Sequence, residues 1–158
     1  MAYLTRDGVR LYYEDHGKGP AILLSHGYGA TSQMWRDQVG AFKDKYRIII
    51  WDLRGHGESD YPDDPEQYSK QHTVADIAAL LDECGLERAV IGGHSLGGYS
   101  TLAFHRVHSE RCDALMLFNC GPGFKKDEAR LKWNETANRR AQRFEDEGLA
   151  IMGDRAEY

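Results

Sequence analysis

The sequence predicts an α/β fold: a mostly parallel, doubly wound sheet that follows an N-terminal hairpin. Three observations carry that expectation. Short continuous apolar runs, of the kind buried on both faces of a parallel sheet, occupy residues 21–24, 46–51, 88–92 and 113–118. Between them lie segments with helical spacing, most clearly Val74, Ile77, Ala78 and Leu81 at i, i+3, i+4 and i+7. Polar, glycine-bearing loops at 25–30, 52–60 and 92–97 follow three of the apolar runs, and ligands bind beyond the carboxyl ends of such strands.

Each element has its own local signal. Residues 3–5 and 9–13 alternate around Asp7-Gly8, a two-residue turn signal, and predict a hairpin of two edge strands. Thr31 or Ser32 can cap a helix bearing Met34, Trp35, Gln38, Val39 and Phe42. The proline-bearing excursion at 61–65 is expected to carry no element of its own. Thr73, with Asp76 three residues on, reads as the N-cap of the next helix, and Gly85 as its stop. A strand over 88–92, a helix over 96–108 and a buried strand over 113–118 follow. Beyond residue 123 the chain becomes a highly charged helical stretch with a thin apolar stripe of Ala129, Trp133, Ala137, Ala141 and Phe144, closed by Gly148. Two parts are expected: 1–123 as the core, and 124–158 as a helical appendage.

Composition narrows the function. With 158 residues, 41% of them hydrophobic, the chain can bury a real core. A net charge of −5 argues against an electrostatic nucleic-acid footprint, so the expected partner is a small molecule. Cys84, Cys112 and Cys120 are odd in number and far apart, which fits neither a disulfide framework nor metal spacing. The sequence therefore reads as soluble and cytoplasmic, with no cofactor, metal or membrane partner expected.

Gly93-His94-Ser95-Leu96-Gly97 is the stretch that carries chemistry. Small residues on both sides of Ser95 let the backbone turn sharply between strand and helix, with a hydroxyl at the apex. The plain alternative is a small residue in a tight turn. A phosphate-binding turn fits worse: the stretch is not G-x-G-x-x-G, has no Gly-Lys-Ser/Thr, and no acidic residue closes the next strand.

Three separated motifs together resemble one family. Ser25-His26-Gly27-Tyr28-Gly29, the loop from Asp52-Leu53-Arg54-Gly55-His56-Gly57 to Glu58-Ser59-Asp60, and Gly92-Gly93-His94-Ser95-Leu96-Gly97-Gly98 are similar, in order and spacing, to the α/β-hydrolase superfamily, specifically its cap-bearing branch of esterases, lactonases and carbon–carbon bond hydrolases. The resemblance implies that Ser95 is the nucleophile, that the backbone N–H groups of Tyr28 and Leu96 form the oxyanion hole, and that a cap begins near Gly123. It implies a serine hydrolase that acts on a small ester, lactone, thioester or carbon–carbon bond through an acyl-enzyme.

The resemblance covers the N-terminal part of the family's pattern. In that pattern an acid and then a histidine follow the serine. Here His105 and His108 fall on the helix after Ser95, about 15 Å along its axis. Asp113 stands at the amino end of its strand, and Asn119 is no carboxylate. The expectation is a sheet without its last two strands and no activity in this chain alone, or a hydrolase-like binding protein. His26 and His56 are expected to hold backbone, Asp52 and Arg54 to fix a loop as a pair, and His94 to point away from Ser95.

Overall fold

The computed structural model describes residues 1–121, 123–148 and 150. Asp7 and Gly8 both take positive φ, 51° and 77°, as a two-residue hairpin turn requires. β1 (Ala2–Arg6) therefore folds back on β2 (Val9–His16). β3 (Ala21–Ser25), β4 (Arg47–Trp51), β5 (Ala89–His94) and β6 (Cys112–Phe118) complete a six-stranded sheet in the order β1-β2-β4-β3-β5-β6. β3 pairs in parallel with β4 and β5, and β5 with β6. One expectation is corrected here. β2 is not an edge strand, because it also pairs antiparallel with β4, and only β1 ends the sheet on that side.

Helices cover both faces because successive strand residues point to opposite sides. Leu23, Ile49, Trp51 and Ile91 pack with Ile77, Leu80 and Leu81 of α2 (Lys70–Glu83) and Phe104 of α3 (Leu96–Val107). On the other face Leu24, Ile48 and Ile50 meet Trp35 and Val39. Trp35 closes a 3-10 turn, Ser32–Trp35, whose N-cap is Thr31, and Val39 lies in α1 (Arg36–Phe42). The excursion after residue 60 is not wholly bare: Pro65–Tyr68 forms a 3-10 turn capped by Asp64.

The start of α2 differs from expectation. Its N-cap is Ser69, whose Oγ accepts the His72 N–H at 3.3 Å, and Thr73 lies inside the first turn. Asp76, expected to complete a cap, is instead buried. Its carboxylate accepts Nε and Nη2 of Arg54 at 2.7 and 2.8 Å and Nε of Arg6 at 2.6 Å. A carboxylate on the apolar face between Val74 and Ile77 survives burial only with such partners. The helix ends as expected: Gly85 has φ 65°, and the Leu86 N–H donates to Leu81 O at 2.8 Å.

The last strand is not buried. β6 pairs only with β5 among the described residues, and Met116, Leu117 and Phe118 are 39%, 42% and 42% exposed. An apolar run reads the same whether its strand lies inside a sheet or at its edge, which is why the sequence misleads here. By contacts the chain divides into units Met1–Gly121 and Pro122–Tyr158. In the second unit α4 (Asp127–Glu147) has no buried residue among those described, the Phe124 and Trp133 ring centroids lie 5.8 Å apart with the rings tilted by 43°, and Gly148 ends the helix with φ 75°.

Three outcomes follow from this architecture. Asp76→Ala leaves the Arg54 guanidinium, 3% exposed, without its counter-ion, and should cost about 3–5 kcal/mol, read as a fall in the urea midpoint. Arg10→Ala, at the exposed Arg10–Asp60 pair, should leave that midpoint almost unmoved. Leu117→Lys places a charge on the open apolar edge and should shift the 158-residue chain from aggregate toward monomer in gel filtration. An unchanged profile would count against the edge as the aggregating surface.

Candidate active site

Ser95 joins β5 to α3 with φ 51° and ψ −109°, a conformation that non-glycine residues rarely adopt and that persists only where the surroundings enforce it. The enforcement comes from close packing. A Cβ on Gly93 would lie 2.3 Å from the Gly97 carbonyl carbon, and one on Gly97 would lie 2.3 Å from Ser25 O. Only glycine lets the first turn of α3 press this closely against β5 and the end of β3. The Ser95 N–H donates to Phe118 O at 2.9 Å, so the end of β6 also anchors the turn. The serine side chain is left exposed at the carboxyl edge of the sheet.

Loop 25–30 abuts this turn, since a Cβ on Gly27 would lie 3.5 Å from the Ser95 Cβ and 2.8 Å from His94 Nδ1. That His94 nitrogen is buried and has no partner among the described residues. Tyr28, 54% exposed, sits in the turn closed by the Ala30 N–H on Gly27 O at 3.2 Å. Leu96 is the first residue of α3. Among the described residues neither the Tyr28 nor the Leu96 N–H has a hydrogen-bond acceptor.

The two histidines of the loops spend their ring nitrogens on backbone. His26, fully buried, donates from Nδ1 to Gly27 O at 2.7 Å and accepts the Leu53 N–H on Nε2 at 3.0 Å. Burial pushes its imidazole down to about 4, against a smaller opposite pull from the Gly27 carbonyl. His56 donates from Nδ1 to Arg54 O at 3.0 Å, and its Nε2 accepts the Gly29 N–H at 3.5 Å. Neither ring has a nitrogen left to take a proton from Ser95.

Asp52 and Arg54 fix the loop as expected, but not as a pair. Asp52 accepts the Ser32 N–H at 2.6 Å and the Glu58 N–H at 2.9 Å, while Arg54 turns to Asp76 and Gln67. His105 is exposed on α3 and His108 lies past its end, 3.6 Å from Glu110. Asn119 leaves β6 with φ 50°. The residues that sequence reasoning missed are Asp76, which holds loop 52–60 through Arg54, and Phe118, whose carbonyl anchors Ser95. Asp76 did carry a signal, a carboxylate inside an apolar helical stripe; the Phe118 carbonyl carried none.

A strand, a strained serine and a helix at the carboxyl edge of a largely parallel sheet define the α/β-hydrolase class. Residues 20–157 match the family model described as alpha/beta hydrolase fold, and the chain belongs to that family. It is 41% identical over 114 residues to Epoxide hydrolase 4 of Mus musculus, covering 71% of this chain and 32% of that protein. It is 36% identical over 137 residues to "Putative carbamate hydrolase RutD" of Caulobacter sp. (strain K31), covering 81% and 47%. Among solved structures, the epoxide hydrolase VrEH1 of Vigna radiata superposes with a TM-score of 0.75 at 25% identity, covering 84% of this chain and 45% of that one. The chain thus spans less than half the length of each of these relatives.

The buried imidazole has a measurable consequence. An unfolded histidine titrates near 6.5 and native His26 near 4. Between those values the unfolded chain binds the extra proton, so stability should fall as pH drops from 6.5 toward 4 and be flat, for this group, below 4. The loss is of the order of 3 kcal/mol. Urea titrations across that window should show the slope in the wild type, and His26→Asn should remove it.

Proposed function

We propose that this chain carries the nucleophile and oxyanion site of a serine hydrolase that acts on a carbonyl carbon: a small ester, lactone, thioester or activated carbon–carbon bond. The observation that supports this most is Ser95 itself, exposed at φ 51° in the turn between β5 and α3. Its Oγ attacks the carbonyl carbon as its proton passes to a base, and the carbonyl oxygen becomes an oxyanion facing the Tyr28 and Leu96 N–H groups. Each such donor is typically worth about 3–4 kcal/mol to the transition state. Collapse expels the leaving group and leaves an acyl ester on Ser95, which water cleaves.

Bond accounting favours carbonyl substrates over the epoxides named for several relatives. A serine that opens an epoxide becomes a β-hydroxyalkyl ether, which water does not cleave, so the enzyme would be consumed. A carbamate, named for the Caulobacter relative, presents a carbonyl carbon and leaves a cleavable intermediate. The charged, unburied helix α4 supports reading 124–158 as the start of a helical cap. Three free cysteines suit a reducing, cytoplasmic setting, and no helix among the described residues is long and apolar enough to cross a membrane.

A second reading concerns the 158 residues alone. His26 and His56 are committed to backbone, the unpartnered His94 nitrogen is buried, and His105 and His108 lie on α3 and past its end, which supports a chain that binds without turnover. A fluorophosphonate probe should label Ser95 in the protein expressed from its complete reading frame, with para-nitrophenyl acetate hydrolysed and styrene oxide untouched. Ser95→Ala should abolish both label and hydrolysis, while the 158-residue chain shows no hydrolysis above background. A folded, complete protein that leaves Ser95 unlabelled would sink the proposal.

A further inference from the structure

We propose that His56 is a positioning residue for the oxyanion site, acting with His26 as a reciprocal brace that fixes the peptide groups on both sides of Tyr28. The inference rests on the reading of Tyr28 N–H as an oxyanion donor. A trans peptide is planar, so whatever holds its C=O also aims the N–H on its opposite side. Gly27 O shares its peptide plane with the Tyr28 N–H, and it is held by His26 Nδ1 at 2.7 Å and the Ala30 N–H at 3.2 Å. With that carbonyl turned toward His26, the Tyr28 N–H points away from it.

The next peptide plane contains the Gly29 N–H, and His56 Nε2 accepts it at 3.5 Å. His56 is itself tied down, because its Nδ1–H donates to Arg54 O at 3.0 Å. Each loop thus sends one imidazole to the other's backbone: His26 from loop 25–30 reaches Leu53 N–H, and His56 from loop 52–60 reaches Gly29 N–H. The two rings lie 4.9 Å apart, so they also support each other sterically. With both flanking planes held, the backbone at Tyr28 has no free rotation, and its N–H stays aimed without help from substrate.

Arg54 extends the brace into the core. The carbonyl that orients His56 belongs to the residue whose guanidinium is locked on Asp76 by two hydrogen bonds. The residue that orients His56 is thus itself anchored in the core by a buried ion pair.

The arrangement demands one tautomer. A carbonyl only accepts, so Nδ1 of His56 carries the proton, and Nε2 must be bare to receive the Gly29 N–H. In the 158-residue chain, ¹⁵N shifts should report the Nδ1–H tautomer of His56; an Nε2–H tautomer would overturn the brace. In the protein expressed from its complete reading frame, His56→Phe should lower kcat for para-nitrophenyl acetate at least tenfold with KM within twofold, and weaken phenylboronic acid, a tetrahedral adduct former, by a similar factor. His56→Gln, which can still accept at the Nε2 position, should recover most of both losses, and neither variant should move Tm by more than a few degrees.

The outcomes separate the two layers of inference. Equal kcat and boronate affinity in wild type and His56→Phe would overturn the role of His56 and leave the site reading intact. Boronate binding that Ser95→Ala does not weaken would overturn the site reading itself, and the role of His56 with it.

Discussion

The close approach of backbone to backbone at Gly93 and Gly97 is the constraint on which the rest depends. Any side chain at either position would occupy the space of a neighbouring peptide. With glycine there, α3 starts almost on top of β5 and the end of β3, and the single residue between strand and helix must take the strained conformation seen at Ser95. Steric necessity, rather than an attractive interaction, puts the hydroxyl at the sheet edge. The parallel ladders and the two apolar layers supply the rigidity that keeps the strain from relaxing.

Around that rigid centre, the two neighbouring loops are held by buried polar groups rather than by secondary structure. Asp52 gathers the N–H groups of Ser32 and Glu58, Ser59 Oγ bridges Tyr12 N–H to Asp52 O, and Asp76 clamps Arg54. Each of these replaces water that burial has removed, and an unmet backbone group at such depth would cost a comparable amount. Precision at the site edge thus comes from satisfied hydrogen bonds inside the loops, while their outer faces carry exposed residues such as Tyr28 and Glu58.

Much of this was legible because the signals are local. The Asp7-Gly8 turn, the Gly85 stop, the glycine-flanked serine and the apolar strand runs depend on near neighbours in the chain, and each element lies close to its expected place. What depends on distant partners was not legible. Whether β2 or β6 stands inside or at an edge is decided by strands elsewhere, and the local pattern of Leu115, Met116 and Leu117 is the same in both cases. Asp76 looked like a cap because helix starts and buried ion pairs use the same residue type; the choice turned on Arg54, far away in sequence. Asp52 and Arg54 stand two apart, but the chain has already left β4 and turns between them, so their side chains reach different partners.

The strand order also sets a schedule for synthesis. β3 sits between β4 and β5, yet its second partner is made about 60 residues after it, which at a translation rate of ~5–20 residues per second is a wait of several seconds. Through that interval Ile22, Leu23 and Leu24 have one flank of their strand without a partner, while the β1–β2 hairpin can close within microseconds of its own emergence. The growing chain must therefore keep one of its two central strands half-paired until the segment that carries Ser95 arrives.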